Sequence, residues 1–419
     1  MFLTFNDALV YVVSFFGLYT AIFYLWTLLE HQEKARTTTR LARAPRVAVI
    51  VPCYNEARTV GTTIESLLAL DYPRGKLEII VVDDGSTDET SAVAKRYARH
   101  GVKVYRKRNG GKHTALNLGL SRTRAEFVAA LDADSTVEPT ALRRLLARFT
   151  DERVMAVTPS MKIRDPKGVL RRIQSVEFTM GIFLRRVFAD LGSQHVAPGP
   201  FTVFRRKFFL EHGAYRAAHN TEDIEIALRI QSKRYQVENA TDAYVSTHGP
   251  GTFKSLYKQR LRWYYGFLSN VLDYKHLFGK KYGNLGLFVL PSALLSIFLV
   301  IVSAGYVLGK MALDTWRQLS YYAAVGFDLW EMLELNFDVF FVDTSAVMFL
   351  AIVGLVTGLV VYLYARSLAQ DREGWTLSYA FFFLFYWLLF GFWWFVAGLY
   401  KLFGGTVEWH DKSKYEKVN

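Results

Sequence analysis

The chain has 419 residues, 51% hydrophobic and 16% aromatic, which is far too much apolar surface for a disordered polymer. Lys and Arg outnumber Asp and Glu by 51 to 38, a net charge of +13 that suits anionic lipid head groups, phosphorylated substrates or nucleic acid. The single Cys53 excludes a disulfide framework or a thiolate zinc site within one chain, and the clustering of the apolar residues excludes a uniformly soluble globule.

The first cluster, Ala8 to Leu29, lies between Asp7 and Glu30. At about 1.5 Å per residue a helix of that length crosses the roughly 30 Å hydrocarbon core. It is too long for a cleaved signal segment, has no basic residues before it and no small-residue cleavage site after it, and is expected to be an uncleaved anchor. Lys34, Arg36, Arg40, Arg43 and Arg46 follow, and the positive-inside rule puts them, with the soluble part, on the cytoplasmic side.

Apolar β-branched runs then alternate with helical stretches. Val47–Val51, Leu77–Val82, Val102–Tyr105 and Phe127–Leu131 read as strands, and Gly61–Leu70, Glu89–His100 and Lys112–Arg122 as helices. Continuous apolar strands separated by helices predict a parallel sheet covered on both faces, with ligands bound beyond the carboxyl ends. Those ends carry Pro52-Cys53-Tyr54-Asn55-Glu56, Asp83-Asp84-Gly85-Ser86 and Asp132-Ala133-Asp134. Aspartates are poor strand formers and costly neighbours for each other, so a bland fold would rarely gather them at one rim. No Gly-x-Gly-x-x-Gly or Walker loop follows the first strand and no base-reading helix is present, so nucleic acid is not expected as a partner.

Alternate residues point the same way, which gives Asp132 and Asp134 two hard oxygen donors for Mg²⁺ or Mn²⁺ beside a diphosphate. Asn109-Gly110-Gly111-Lys112 opens a helix, either as an anion site of free amides plus one lysine or as a plain tight turn. Thr221-Glu222-Asp223 reads locally as a helix cap with acids in the first turn, and alternatively as a general base held at a helix start. Gln259, Arg262 and Trp263 share one helix face, where an arginine can fork onto phosphate and an indole can carry a sugar ring. With Tyr257, Tyr264, Tyr265 and Phe267 the same helix also suits the lipid interface, as does the stretch bearing Arg171, Arg172, Arg185 and Arg186 beside Phe178, Ile182 and Phe183.

Apolar runs resume at 286–309, 345–365 and 377–403, and the loop after the first carries Asp314, Asp328, Glu331, Glu334, Asp338 and Asp343 against Lys310 and Arg317, which fits an outside face. Tyr321 to Val342, with its acidic stripe, either lies on the interface or walls a membrane passage, so the side of the tail with Lys412, Lys414 and Lys417 stays open. The expected organisation is an anchor at 1–30, a cytoplasmic domain with interface helices at 31–285, a transmembrane region at 286–403 and a tail at 404–419.

Taken in order, Val51-Pro52-x-Tyr54-Asn55-Glu56, Asp83-Asp84-Gly85-Ser86-x-Asp88, Asp132-x-Asp134, Thr221-Glu222-Asp223 and Gln259-x-x-Arg262-Trp263 resemble the membrane-embedded, inverting, processive glycosyltransferases of family 2 over residues 46–270. That family includes the synthases of cellulose, chitin, hyaluronan and poly-N-acetylglucosamine. The early span and Gly110-Gly111-Lys112-x-x-Ala115-Leu116-Asn117 look most like the poly-N-acetylglucosamine synthase branch. The resemblance implies an α/β nucleotide-sugar-binding domain of GT-A type inserted between transmembrane helices, with amphipathic interface helices. It implies Pro52, Asn55, Glu56 and Asp84 at the nucleoside, Lys112 near the phosphates, and Asp132 and Asp134 at Mg²⁺ or Mn²⁺ and the donor. It further implies Glu222 and Asp223 as catalytic acids, Asp223 being the base, with Gln259, Arg262 and Trp263 toward diphosphate and acceptor. The implied partners are a UDP-sugar, a polysaccharide or oligosaccharide acceptor, the bilayer, and an accessory subunit or a second copy.

Two stretches depart from the family. His248-Gly249-Pro250-Gly251-Thr252 stands where relatives often place an acid before the proline, and is read as a turn; Ala197-Pro198-Gly199-Pro200-Phe201 replaces the usual small loop beside the acceptor. Two rivals remain open at this level. A polyprenyl-phosphate glycosyltransferase shares the nucleotide motifs and generally lacks residues like those at 259–263. A non-enzymatic channel or nucleotide sensor leaves Asp132, Asp134 and Asp223 together unexplained.

Overall fold

A computed structural model of the chain describes residues 5–31, 43–325, 346–371 and 377–405. Lys34, Arg36 and Arg40, the acidic stripe from Asp328 to Asp338, and the Lys412–Lys417 tail lie outside the described residues.

Strands β1 (Val47–Cys53), β2 (Leu77–Asp83), β3 (Lys103–Arg106), β4 (Phe127–Ala130), β5 (Ser135–Val137), β6 (Val154–Ile163), β7 (Val203–Arg205) and β8 (Gln236–Thr247) form one sheet in the order β3-β2-β1-β4-β7-β6-β8-β5. The first four strands pair in parallel, as the alternation of strands and helices leads one to expect. The other half is mixed, because β7 runs antiparallel to both β4 and β6, and β5 antiparallel to β8. An all-parallel sheet is therefore corrected to a parallel half and a mixed half. Strands β5 and β7 are three residues long, too short to leave a periodic signal.

Both faces of β1 are covered. Val47, Val49 and Val51 pack with Ile64 and Leu67 on one side, while Ala48 and Ile50 pack with Ala115, Leu116 and Ile226 on the other. Burying each such side chain contributes roughly 1.5–3 kcal/mol, which is why a run without polar interruption becomes an interior strand. Leu131 donates its N–H to the Ile50 carbonyl at 2.9 Å, so Ile50, and Pro52 two residues on, face the β4 side. The β1–β4 pairing ends at Ile50↔Ala130, and Pro52 therefore sits where its missing N–H loses no ladder bond. The expected helix at Glu89–His100 divides into Thr90–Lys95 and a 3₁₀ turn at Ala98–His100, closed by Gly101 at φ 84°.

Among the described residues four helices, Phe5–Glu30, Leu285–Ala324, Met348–Ala369 and Ser378–Leu402, are long and apolar enough to cross a membrane. Between them and the sheet lie two long amphipathic helices, Val169–Asp190 and Phe253–Asp273. The second is started by a capping box in which Thr252 and Ser255 exchange hydrogen bonds. Its aromatic face packs with Tyr386, Trp393 and Trp394 of the last apolar helix, and Tyr264 stacks on Trp394 with centroids 4.2 Å apart.

Candidate active site

The carboxyl ends of the strands and the start of the Glu222–Ser232 helix meet at one lysine. Lys112, the first residue of the Lys112–Ser121 helix, holds its Nζ 2.7 Å from Asp132 Oδ1 and 2.8 Å from Glu222 Oε1. Asp132 and Asp134 stand in the turn after β4 and not on the strand itself; the buried Ala133 between them keeps both carboxylates on the outward side. Gly199 closes over the pair. A Cβ there would stand 2.6 Å from Lys112 Nζ and 3.2 Å from Asp132 Oδ2, so a larger residue would displace the Lys112 ammonium from its two carboxylates. The 197–201 loop is tied to the Glu222–Ser232 helix, since Ala197 N–H donates to the Asp223 carbonyl at 3.0 Å.

The charges in this cluster set each other. Burial by itself would raise the Glu222 carboxyl, but the Lys112 ammonium outweighs it and holds the acid below its ordinary range. Burial likewise opposes the charge on Lys112, and Asp132 and Glu222 together overcome it and hold the lysine protonated well above its usual range. Asp223 goes the other way. Burial, then the neighbouring Glu222 charge, push it up to about 6, against the opposing pull of Lys112 and Arg262. Its Oδ1 accepts from the Ile224 N–H at 3.0 Å and the residue stays partly exposed. Two adjacent acids are thus driven apart, one firmly ionised and one with the proton affinity of a base working near neutral pH.

The rim of β1 and β2 is built differently. Asp84, nearly buried, accepts from Lys107 Nζ at 2.6 Å and from the amides of Gly110 and Gly111 at 3.2 and 2.8 Å. The 109–112 turn, read from sequence either as an anion site of free amides or as a plain tight turn, has its Gly110 and Gly111 amides held by Asp84; a desolvated carboxylate at a strand end needs those donors. Asn55, at φ 55°, accepts from the Thr87 N–H at 2.8 Å, and its own N–H donates to Ser86 Oγ at 2.9 Å. Glu56 Oε2 accepts from Thr59 Oγ1 at 2.6 Å. Pro52, Asn55, Glu56 and Asp84 thus share one rim beside the Lys112 cluster, and Asp84 reaches the amide of Gly111, next to Lys112.

The Phe253–Asp273 helix shapes the approach to Asp223. Three consecutive non-glycine residues, Ala218, His219 and Asn220, have φ of 47°, 54° and 62°, a strained turn just before Thr221. Arg262 Nη1 donates to the Asn220 carbonyl at 2.9 Å, and Asn270 Nδ2 donates to Ala218 O at 3.2 Å and Thr221 Oγ1 at 2.9 Å. Gly266 lies so close that a Cβ would stand 2.2 Å from Thr221 Oγ1. Arg262 therefore joins the acidic cluster both through this turn and through its charge. Gln259 and Trp263 sit elsewhere on the helix. Arg260 lies with its guanidinium 4.2 Å from the Trp263 ring centroid, donates to Gln259 Oε1 at 2.7 Å, and pairs with Glu177 at 2.5 Å. Tyr386, from the last apolar helix, donates to the same Glu177 oxygen at 2.7 Å. Sequence reading missed Arg260, Glu177, Gly199, Gly266 and Asn270, whose partners lie far away along the chain.

Among the described residues no three His, Cys, Asp or Glu side chains converge to hold a metal by themselves. Asp132, with 31% of its side chain exposed, and Asp134 still offer two oxygen donors on one side of a turn. That set fits Mg²⁺ or Mn²⁺ bound together with a substrate diphosphate, the usual arrangement for a hard cation that keeps few protein ligands. Thr247 Oγ1 reaches Asp134 Oδ1 at 3.5 Å, and the exposed His248 follows in the loop after β8.

Residues 48–213 match the family described as Glycosyl transferase family 2. The chain is 28% identical over 270 residues to the poly-beta-1,6-N-acetyl-D-glucosamine synthase of Staphylococcus aureus, covering 62% of this chain and 65% of that one. It is 31% identical over 224 residues to the synthase of the same name from Staphylococcus epidermidis, covering 52% and 54%. The chain thus spans less than two-thirds of the length of the curated relatives it matches. Among solved structures, a mannosyltransferase from Pyrobaculum calidifontis in complex with GDP-Man and Mn²⁺ shares the fold, with a TM-score of 0.57, 19% identity, and coverage of 94% of this chain and 99% of that one.

Proposed function

We propose that this chain, an enzyme built on a family 2 glycosyltransferase domain of GT-A type, is a membrane-bound inverting synthase that transfers a sugar from a UDP-sugar to a growing β-linked polysaccharide. The sugar is N-acetylglucosamine in this reading, which the relatives' names support. The observation that carries it is the Lys112 bridge between Asp132 and Glu222, set beside an Asp223 raised to about 6. A non-enzymatic channel or sensor is set aside by the family match.

Asp223 takes the proton from the acceptor hydroxyl as its oxygen attacks the anomeric carbon, a role worth about 10²- to 10⁴-fold. The bond to the UDP oxygen breaks in the same displacement, so an α-linked donor gives a β-linked product. Asp132 and Asp134 would hold the divalent cation, which would supply Lewis-acid neutralisation of the departing diphosphate. Lys112 and Arg262 add fixed positive charge there, and Glu222 keeps Lys112 oriented. Pro52, Asn55, Glu56 and Asp84 shape the nucleoside rim. Trp263 and Gln259 meet the acceptor where the domain joins the apolar helices, and the polymer leaves across the membrane. The organisation is an anchor at 1–30, a cytoplasmic catalytic domain at 31–285, a transmembrane region at 286–403 and a tail at 404–419.

The test is incubation of the detergent-purified protein with a panel of UDP-sugars and Mg²⁺ or Mn²⁺, followed by sizing and digestion with linkage-specific hydrolases. A β-linked polymer of N-acetylglucosamine is expected. A single-sugar glycolipid as the only product would instead assign a polyprenyl-phosphate transferase.

A further inference from the structure

The end of the sheet opposite the catalytic rim carries a cavity of about 550 Å³, within the roughly 300–1,000 Å³ of small-ligand sites. It opens where β1, β2 and β4 begin: Arg46 precedes β1, Lys76 precedes β2, and Arg124 and Glu126 precede β4. Arg43 and Arg205 complete its basic lining, which makes five cations against one carboxylate. β1 alone, seven residues long, separates this cavity from the rim by about 20 Å at roughly 3.3 Å per residue. The cavity is therefore no part of the donor site.

Three features distinguish it from an ordinary solvated basic face. Lys103 on β3 pairs with Glu78 at 3.2 Å, whereas Arg43, Arg46, Lys76 and Arg124 have no ion pair among the described residues. Arg205 is preorganised: its Nε donates to Val154 O at 2.9 Å, and its guanidinium lies 5.3 and 5.1 Å from the rings of Phe127 and Phe149. Those two rings meet edge to face at 4.7 Å and give the cavity a low-dielectric wall, which strengthens the field of clustered like charges.

We propose that this cavity is a second ligand site that binds a phosphorylated anion carrying at least two negative charges, separately from the UDP-sugar. Arginine forks match phosphate oxygens bidentately, and three or more cations converging on a concave surface favour a compact polyanion over a single carboxylate. The phosphate belongs either to a soluble metabolite or to a lipid head group.

The full chain, purified in detergent, is titrated with inorganic triphosphate in the presence of saturating UDP and Mn²⁺, which occupy the rim. A parallel arm measures binding to vesicles containing phosphatidylglycerol. Binding is expected to survive UDP and to weaken about tenfold or more in Arg46→Glu/Arg124→Glu, with a smaller loss in Arg46→Gln/Arg124→Gln. UDP affinity unchanged in both variants reports that they fold. Triphosphate binding assigns a soluble ligand, and vesicle binding alone, lost in the same variants, assigns a lipid phosphate. Binding that UDP abolishes, that charge reversal leaves untouched, or that is absent in both arms overturns the proposal.

Discussion

Lys112 is the residue where the turn after β4 and the start of the Glu222–Ser232 helix become one structure, because a single ammonium serves carboxylates 90 positions apart, Asp132 and Glu222. Removing it leaves two acids facing each other with little solvent, a change that typically costs about 3–5 kcal/mol. Lys112→Met is expected to lower thermal stability and to abolish transfer, while Lys112→Arg keeps the fold; unfolding curves of both variants check this. In the proposed reaction Asp223 carries the pH dependence: as the base it acts only when ionised, so activity is expected to rise as pH climbs through about 6 and to be lost as pH falls below that value. Arg262 is one of the two cations that pull its pKa down, so Arg262→Gln moves the acidic limb of the rate profile to higher pH. A limb that stays fixed or moves to lower pH contradicts that electrostatic role. Lys112, Asp132, Glu222 and Asp223, which the fold brings together, stood out in the sequence because strand ends and short motifs announce them. Gly199 and Gly266 were not, since a glycine's significance here lies in what stands against it, and those partners are fixed only by the fold.

The helix Phe253–Asp273 is the element that links chemistry to the membrane side. It presses on the Ala218–Asn220 turn through Arg262 and Asn270, and a side chain at Gly266 would collide with Thr221. Gly266→Ala is therefore expected to cost about 1–3 kcal/mol by overpacking and to cut transfer sharply while UDP affinity survives. Steady-state kinetics beside UDP titration reads that split. On its opposite side Arg260, Glu177 and Tyr386 pin it to the Val169–Asp190 helix and the last apolar helix. Tyr386→Phe removes one hydrogen bond, worth about 1 kcal/mol, whereas Glu177→Leu strands the buried Arg260 and costs about 3–5 kcal/mol. Thermal unfolding in detergent should give that order, and equal losses would argue against a buried charge pair as the anchor. The four parallel strands and both amphipathic helices were readable from periodicity. The mixed half of the sheet was not, because three-residue strands carry no period and their antiparallel partners come from distant parts of the chain.

At the scale of the molecule, a GT-A domain is mounted on amphipathic helices beneath four helices apolar enough to cross a membrane. Buried aromatic and ionic contacts join the Phe253–Asp273 helix to the last apolar helix, and in the proposed synthase they keep the acceptor end beside the membrane while sugars are added. In sealed vesicles with the catalytic domain outside, the polymer is expected to accumulate within, protected from added hydrolase. The role proposed for Asp223, deprotonation of the acceptor, is tested by Asp223→Asn, read by transfer rate and by UDP affinity on one preparation. Transfer is expected to fall by about 10²- to 10⁴-fold with UDP affinity nearly unchanged. Transfer and UDP binding lost together, or transfer retained, would contradict it.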